Sequence, residues 1–269
     1  MKIGVIGKGF VGSAVYDGLG QLDHDMSFHD PKYDTNILDI KYTEIVFVSV
    51  PTDMREDGTC DTSVVESVLD QLTGMQYRGI VAIKSTIVPG TTRDLQEKFG
   101  DLNICCVPEF LRERSALTDF VLEHDVLVVG TTDENVATRV VRAHGNLPKQ
   151  VRIVTPTEAE LCKYFNNVFN ALRITFANGF YDVCNNLDAD YQKVYDAMTQ
   201  RSNIDGQYLR VSKNLRGFGG YCLPKDSAAF ARLVDTIYGD RAHECPTIFD
   251  SIVDDNKLYE TTVFEGMRK

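Results

Sequence analysis

Short apolar runs recur through the first half of the chain: Lys2–Ile6, Met26–His29, Ile45–Val50, Ile80–Ile83, Asn103–Val107, Val126–Val129 and Val151–Val154. Each has strand length and is rich in β-branched side chains. Longer polar-apolar stretches, such as Ser63–Leu72 and Thr91–Phe99, separate several of them. That alternation predicts βαβ units around a parallel sheet with both faces covered.

After about Val154 the pattern becomes helical. Thr157 followed by Glu160 has the spacing of a capping box, and the early glutamates suit the positive end of a helix dipole. Leu161, Phe165, Val168, Phe169, Leu172 and Phe176 recur at helical spacing and read as the buried stripe of a helix running to about Val183. Further helices are expected over Tyr191–Met198 and Ser227–Ile237, with a last one opening at Pro246 and running to about Tyr259. The expected organisation is a Rossmann-like parallel α/β domain over residues 1–155. A mainly helical domain over 156–269 follows it without a Pro/Ser-rich linker.

Charge and composition narrow the partners. The chain has 269 residues, with 28 Lys+Arg against 39 Asp+Glu and a formal net charge of −11. An acidic chain is a poor match for a nucleic-acid backbone or an anionic membrane surface. No apolar run approaches the ~18 residues needed to cross a bilayer, and the N-terminus enters a strand without a secretory apolar region. An odd count of seven cysteines, with no zinc-type Cys-x-x-Cys pair, points to reduced thiols in a cytoplasmic protein.

Gly7-Lys8-Gly9-Phe10-Val11-Gly12 is a G-x-G-x-x-G turn lying directly after one apolar run and before a helix-forming segment. In that setting the first glycine permits the tight turn, the second lets backbone approach a pyrophosphate, and the third lets helix and strand pack closely. Asp30 ends the next strand at the spacing of a ribose-binding acid, which favours NAD over NADP, although Lys32 lies close by. Without a ligand the same glycines would be a glycine-rich turn.

Polar residues also follow later strands: Thr52 after Ile45–Val50, Ser85 and Thr86 after Ile80–Ile83, and Glu109 after Asn103–Val107. Ligands of open parallel sheets sit beyond these strand ends; the hydroxyls could equally cap the following helices. Lys163 and Asn167 lie four residues apart, on a face distinct from the apolar stripe, where a lysine is ordinarily a solvated charge. Gly217-Phe218-Gly219-Gly220-Tyr221-Cys222-Leu223-Pro224-Lys225-Asp226 places a cysteine near a helix start and a lysine. Such a setting lowers a thiol pKa and makes a nucleophile. A buried structural cysteine in a turn reads as well on local sequence alone.

Together these segments resemble the UDP-glucose/GDP-mannose 6-dehydrogenase family. The resemblance also includes Val50-Pro51-Thr52 with Asp57-Gly58 and Asp61, and Lys84-Ser85-Thr86-x-x-Pro89-Gly90-Thr91. Pro108–Glu113, Glu158-Ala159-Glu160-x-x-Lys163-x-x-x-Asn167 and Gly217–Asp226 complete it, in family order across nearly the whole chain. The resemblance implies that NAD takes a hydride from a sugar C6 alcohol and that Cys222 attacks the aldehyde. A second NAD then oxidises the thiohemiacetal to a thioester, which water hydrolyses to the uronic acid. By the same resemblance Lys163 and Asn167 stabilise the oxyanion, Asp226 and Thr86 position water and share in proton transfer, and Glu109 is the acid/base of hydrolysis. Phe110, Leu111, Phe218 and Gly219 would line the sugar. Glu113, Thr52 and Lys225 would join Gly7, Gly9, Phe10, Val11, Gly12, Asp30 and Lys32 at the cofactor.

Two departures stand beside the match. The sequence ends at Lys269, 47 residues after Cys222 (269 − 222), where family members continue into a second Rossmann-like domain that grips the nucleotide. Arg210–Arg216 also lacks the family's usual Pro-Gly-containing approach. The leading expectation is a compact nucleotide-sugar dehydrogenase with UDP-glucose as substrate. The alternatives are a dehydrogenase of the same chemistry acting on a smaller hydroxyl or aldehyde substrate, Cys222 being unneeded only if it is a hydroxyacid dehydrogenase, and an NAD-binding subunit that needs a partner chain. The apolar face of the long helix exceeds what a small helical segment can bury, which predicts a homodimer through the helical half.

Overall fold

The computed structural model describes residues 1–259, 261 and 262; the end of the expected helical domain, residues 263–269, lies outside the described residues. The chain forms two compact units. One holds Met1–Arg55 and Cys60–Lys163; the other holds Glu56–Thr59 and the chain from Tyr164 onward.

The first unit is an alternating α/β fold. Its elements are β1 (Lys2–Ile6), α1 (Phe10–Gly20), β2 (Asp25–His29), β3 (Ile45–Val48), α2 (Ser63–Gly74), β4 (Ile80–Ile83), α3 (Thr91–Lys98) and β5 (Asn103–Cys106). They continue with α4 (Ala116–Val121), β6 (Val126–Gly130), α5 (Glu134–His144) and β7 (Gln150–Val154). The strands form one seven-stranded sheet in the order β2-β1-β3-β4-β5-β6-β7. All neighbours run parallel except β5 and β6, which meet antiparallel at Cys106 and Gly130. The sheet is therefore mixed where the apolar runs predict a wholly parallel one.

Side chains of successive strand residues point to opposite faces, and the apolar runs use both. Ile45 and Phe47 join Val15 and Leu19 of α1 and Val140 of α5 in one core. Val46 and Val48 join Leu69 and Leu72 of α2 and Leu95 of α3 in the other. Both faces are covered, which is why the strands read as continuous apolar runs.

α6 (Pro156–Asn186) begins in the first unit and continues into the second, where α7 (Tyr191–Met198), α8 (Cys222–Tyr238) and α9 (Ile248–Asn256) follow. Two features of α6 differ from the expectation. The box at its start is formed by Thr155, whose backbone N–H donates to Glu158 at 2.7 Å. Glu160 instead accepts from the Thr92 backbone and hydroxyl and from the Gly90 N–H, at the start of α3, at 2.6–2.7 Å. The second difference is the helix face. Phe165 is 75% exposed and Phe176 59%, whereas Asn167 is 4% exposed and Asn178 1%. Only Val168 and Leu172 of the expected stripe join the apolar cluster of the second unit, with Phe218, Phe230, Phe249 and Ile252. The aromatic stripe faces out and the polar face turns in.

Candidate active site

The candidate residues fall into two sets, one in each unit. In the first, the glycine turn links β1 to α1. Gly7 has a φ of +86°, and a side chain there would strike the Ser49 carbonyl; a Cβ on Gly12 would lie 1.8 Å from the Gly7 oxygen. Glycine at both is therefore a steric demand. A Cβ on Gly9 would meet nothing within 4 Å, and no side chain caps the start of α1. Ser49 Oγ, at the end of β3, is buried with no hydrogen-bond partner among the described residues.

Asp30 follows β2. Its carboxylate accepts the Lys8 N–H at 2.7 Å and the Lys32 N–H at 2.8 Å, so the acid is tied to the glycine turn. Phe10 and Val11 are half-buried at the start of α1, and the Lys32 side chain is exposed. An open turn at a helix N-terminus, an orphaned hydroxyl and a fixed carboxylate fit a dinucleotide.

Thr52 is buried and donates to the Thr86 carbonyl at 2.8 Å, and Cys60 Sγ approaches the same oxygen at 3.6 Å. Thr52 thus fixes the neighbouring strand end, and its hydroxyl caps no helix. Ser85 donates to the Val50 carbonyl at 2.7 Å. Glu109 is 5% exposed. Its carboxylate accepts from Lys84 Nζ at 2.7 Å and from the Phe110 N–H at 3.0 Å, while its backbone carbonyl accepts from Lys163 Nζ at 2.6 Å. Burial pushes the Glu109 carboxyl up, and the Lys84 ammonium overrides it, leaving the group below the ordinary glutamate range. The Lys163 ammonium also lies 5.9 Å from the Phe110 ring centre. Leu111 is half-buried beside Phe110, and Glu113, also half-buried, begins a short 3₁₀ turn.

In the second unit, Cys222 is the first residue of α8 and is half-buried. Asp226, one turn on and fully buried, accepts from Asn167 Nδ2 at 2.5 Å and from Lys225 Nζ at 2.6 Å. The interior face of α6 is thereby bonded to the start of α8. The loop before Cys222 is pinned from both sides. Arg216 donates from Nη2 to both Asp182 carboxylate oxygens and from Nε to Asn178, and Asn256 of α9 exchanges two hydrogen bonds with the Phe218 backbone. Phe218 is buried and Gly219 half-buried on that loop.

Lys84, Asn178, Arg216 and Asn256 carry no role in the sequence reading. Lys84 had one available signal: a lysine directly ending a wholly apolar strand must find a buried partner. The other three depend on contacts at sequence separations of 34 to 39 residues, which no local pattern reveals.

A sheet carrying this turn and acid after its first two strands defines a dinucleotide-binding α/β protein. Residues 27–147 match the UDP-glucose/GDP-mannose dehydrogenase family's NAD binding domain, and residues 157–254 match its central domain. The chain belongs to that family, and NAD is the cofactor of its sheet unit. It is 29% identical over 271 residues to the putative UDP-glucose 6-dehydrogenase YtcA of Bacillus subtilis, covering 85% of this chain and 62% of that protein. It is 28% identical to the UDP-glucose 6-dehydrogenase of Rickettsia typhi, over 96% of this chain and 67% of that one. The chain thus spans about six to seven tenths of the length of these curated relatives. Among solved structures, a UDP-glucose dehydrogenase from the archaeon Pyrobaculum islandicum superposes with a TM-score of 0.83 at 27% identity, over 96% of this chain and 68% of that one. The 3-hydroxyisobutyrate dehydrogenase of Mycobacterium tuberculosis shares the fold, with a TM-score of 0.74 at 14% identity, over 96% of this chain and 92% of that one. Among the described residues no helix is long and apolar enough to cross a membrane.

Proposed function

We propose that this chain carries out the four-electron oxidation of a nucleotide-sugar C6 alcohol to the uronic acid, with UDP-glucose as the favoured substrate. The observation that carries the reading is Cys222 at the first position of α8, one helical turn from an Asp226 that is bonded to Asn167 and Lys225.

Bound NAD supplies the hydride acceptor for both oxidations. Gly7, Gly9, Phe10, Val11 and Gly12 hold its phosphates on the N-terminus of α1, and Asp30 with Lys32 takes the ribose. Thr52, Thr86, Glu113 and Lys225 complete its contacts. The positive end of α8 favours the Cys222 thiolate. That thiolate adds to the C6 aldehyde, and the aldehyde oxygen gains a negative charge. Lys163 and Asn167 donate to that oxygen, which is worth most when the donors are already fixed. Asp226 and Thr86 orient the water that cleaves the thioester, and Glu109 accepts its proton. Phe110, Leu111, Phe218 and Gly219 shape the sugar pocket.

We further propose a homodimer in which the outward face of α6 packs on its counterpart. Phe165, Phe169, Phe176 and Phe180 are all exposed on it. The deciding experiment is NADH formation with NAD and a panel of UDP-, GDP- and ADP-sugars, free sugars and hydroxy acids. Two NADH per nucleotide sugar are expected. Turnover of a hydroxy acid alone, or of no substrate despite NAD binding, would overturn the reading.

A further inference from the structure

Glu109 is a node between two lysines. Lys84 directly follows β4, and its backbone N–H is tied to the Val48 carbonyl of β3 at 2.8 Å. Its side chain is fully buried, with the ammonium 5.7 Å from the Phe47 ring centre, 5.8 Å from that of Phe120, and 2.7 Å from Glu109 Oε2. Its reach and position are set by strands and rings that do not touch solvent. On the other side, the Glu109 carbonyl holds Lys163 Nζ at 2.6 Å.

We propose that Lys84 is a positioning residue for the chemistry at Glu109: it fixes that carboxylate in one orientation and one charge state, in the same residue whose backbone holds Lys163. The inference rests on the acid/base role given to Glu109 above. A carboxylate this deeply buried needs a partner to remain ionised. The other titratable groups facing it are the two histidines packed behind Phe120. Burial pushes His144 down to about 3, and burial also lowers His124. At neutral pH both are neutral imidazoles, and His144 already spends Nδ1 on the Val140 carbonyl at 2.9 Å. Lys163 meets the backbone carbonyl of Glu109. The charge that answers the carboxylate is that of Lys84.

The pair also bears on the catalytic cycle. An ionised Glu109 with one oxygen on Lys84 and the other on the Phe110 N–H keeps further acceptor positions for a water proton. Lys84 therefore makes Glu109 a base that is ready at neutral pH, at the cost of some intrinsic basicity.

The test is a titration of the Glu109 carboxyl in the full chain, followed by ¹³C NMR with carboxyl-labelled glutamate and assigned by loss of the signal in Glu109→Gln. In the wild type the carboxyl should remain ionised below the ordinary glutamate value of 4.5. Lys84→Met should raise its proton affinity by at least ~10-fold, and Lys84→Arg should keep it low. In turnover, the acid limb of the kcat profile should rise by a matching interval in Lys84→Met, return in Lys84→Arg, and leave the affinity for NAD unchanged in both. A wild-type Glu109 that titrates as an ordinary glutamate overturns the proposal, and that measurement stands even where Lys84→Met does not fold. Wild-type turnover combined with an unmoved Lys84→Met titration overturns it too, while leaving the function intact. A wild type that turns over no nucleotide sugar removes the functional reading first, and the role of Glu109 with it.

Discussion

The two units place polar groups in opposite ways. In the sheet unit the cores on both faces are apolar, and Phe47, Phe120, Ile45 and Leu69 are fully buried. Its polar candidates follow strand ends, and of these Glu109 reaches inward to the buried Lys84, beside Phe47 and Phe120. In the helical unit the apolar clusters are smaller, and Asn167, Asn178 and Asp226 lie inside while phenylalanines of α6 lie outside. There a hydrogen-bond network shares the interior with the apolar clusters. A polar network holds a structure only when its members are satisfied. Stability and the candidate chemistry are thus separable at Gly9 of the sheet unit and joined at Asp226 of the helical one.

The largest expected effect tests that joining. Cys222→Ser removes the proposed nucleophile and leaves Asn167, Asp226 and Lys225 in place. Turnover to the uronic acid should fall by at least ~10³-fold, with the unfolding midpoint nearly unchanged. Asp226→Asn should instead lose activity and stability together, because both its oxygens accept from buried donors. Paired thermal melts and NADH yields would show it. An Asp226→Asn protein as stable as the wild type would break the contrast.

The glycine turn gives the matching test in the sheet unit. Gly12→Ala puts a methyl 1.8 Å from the Gly7 oxygen and should cost ~3 kcal/mol or more as strain at a close approach. Gly9→Ala meets no atom, so the fold should stand while NAD affinity falls, because the new methyl occupies space left for the phosphates. Denaturant unfolding and NAD titration separate the two outcomes; equal loss of stability in both variants would contradict it.

A smaller effect is expected at Glu160. Glu160→Ala strands the Thr92 and Gly90 N–H groups and the Thr92 hydroxyl, a cost of about 2 kcal/mol for buried donors. Chemical denaturation would measure it, and a change under 0.5 kcal/mol would show that water replaces the carboxylate.

How far the fold is legible follows the same division. The strands read clearly because burial on both faces leaves nothing but apolar residues in Ile45–Val48 and Ile80–Ile83. The antiparallel contact of β5 with β6 rests on one residue pair, too little to mark either sequence. At the start of α6, Thr155 with Glu158 and Thr157 with Glu160 both have capping spacing. The choice between them is made by a contact to α3, 68 residues away. Helical periodicity finds the aromatic stripe of α6 but cannot say whether the stripe or the face carrying Asn167 turns inward. The positions of Asp30, Thr52 and Glu109 at strand ends follow from the strand pattern itself. The supports of the site, Lys84 and Arg216 among them, follow only from tertiary packing.

The outward aromatic stripe leads to the prediction with the smallest effect on the subunit. Phe165 and Phe169 pair at 6.2 Å between ring centres and Phe176 and Phe180 at 5.5 Å, all on one face of α6 by their spacing. Exposed aromatics in such a row favour a second apolar surface over water, and a self-complementary helix face satisfies two-fold symmetry. Light scattering should find the wild type dimeric and Phe165→Glu/Phe176→Glu monomeric. Because neither ring belongs to the apolar clusters of the unit, the monomeric variant should unfold within ~0.5 kcal/mol of the wild type at low protein concentration. At high concentration the wild type alone should gain stability, since dimerisation favours the folded state by mass action. A wild type that stays monomeric, or a variant destabilised equally at every concentration, would mean that the stripe supports the subunit's own fold.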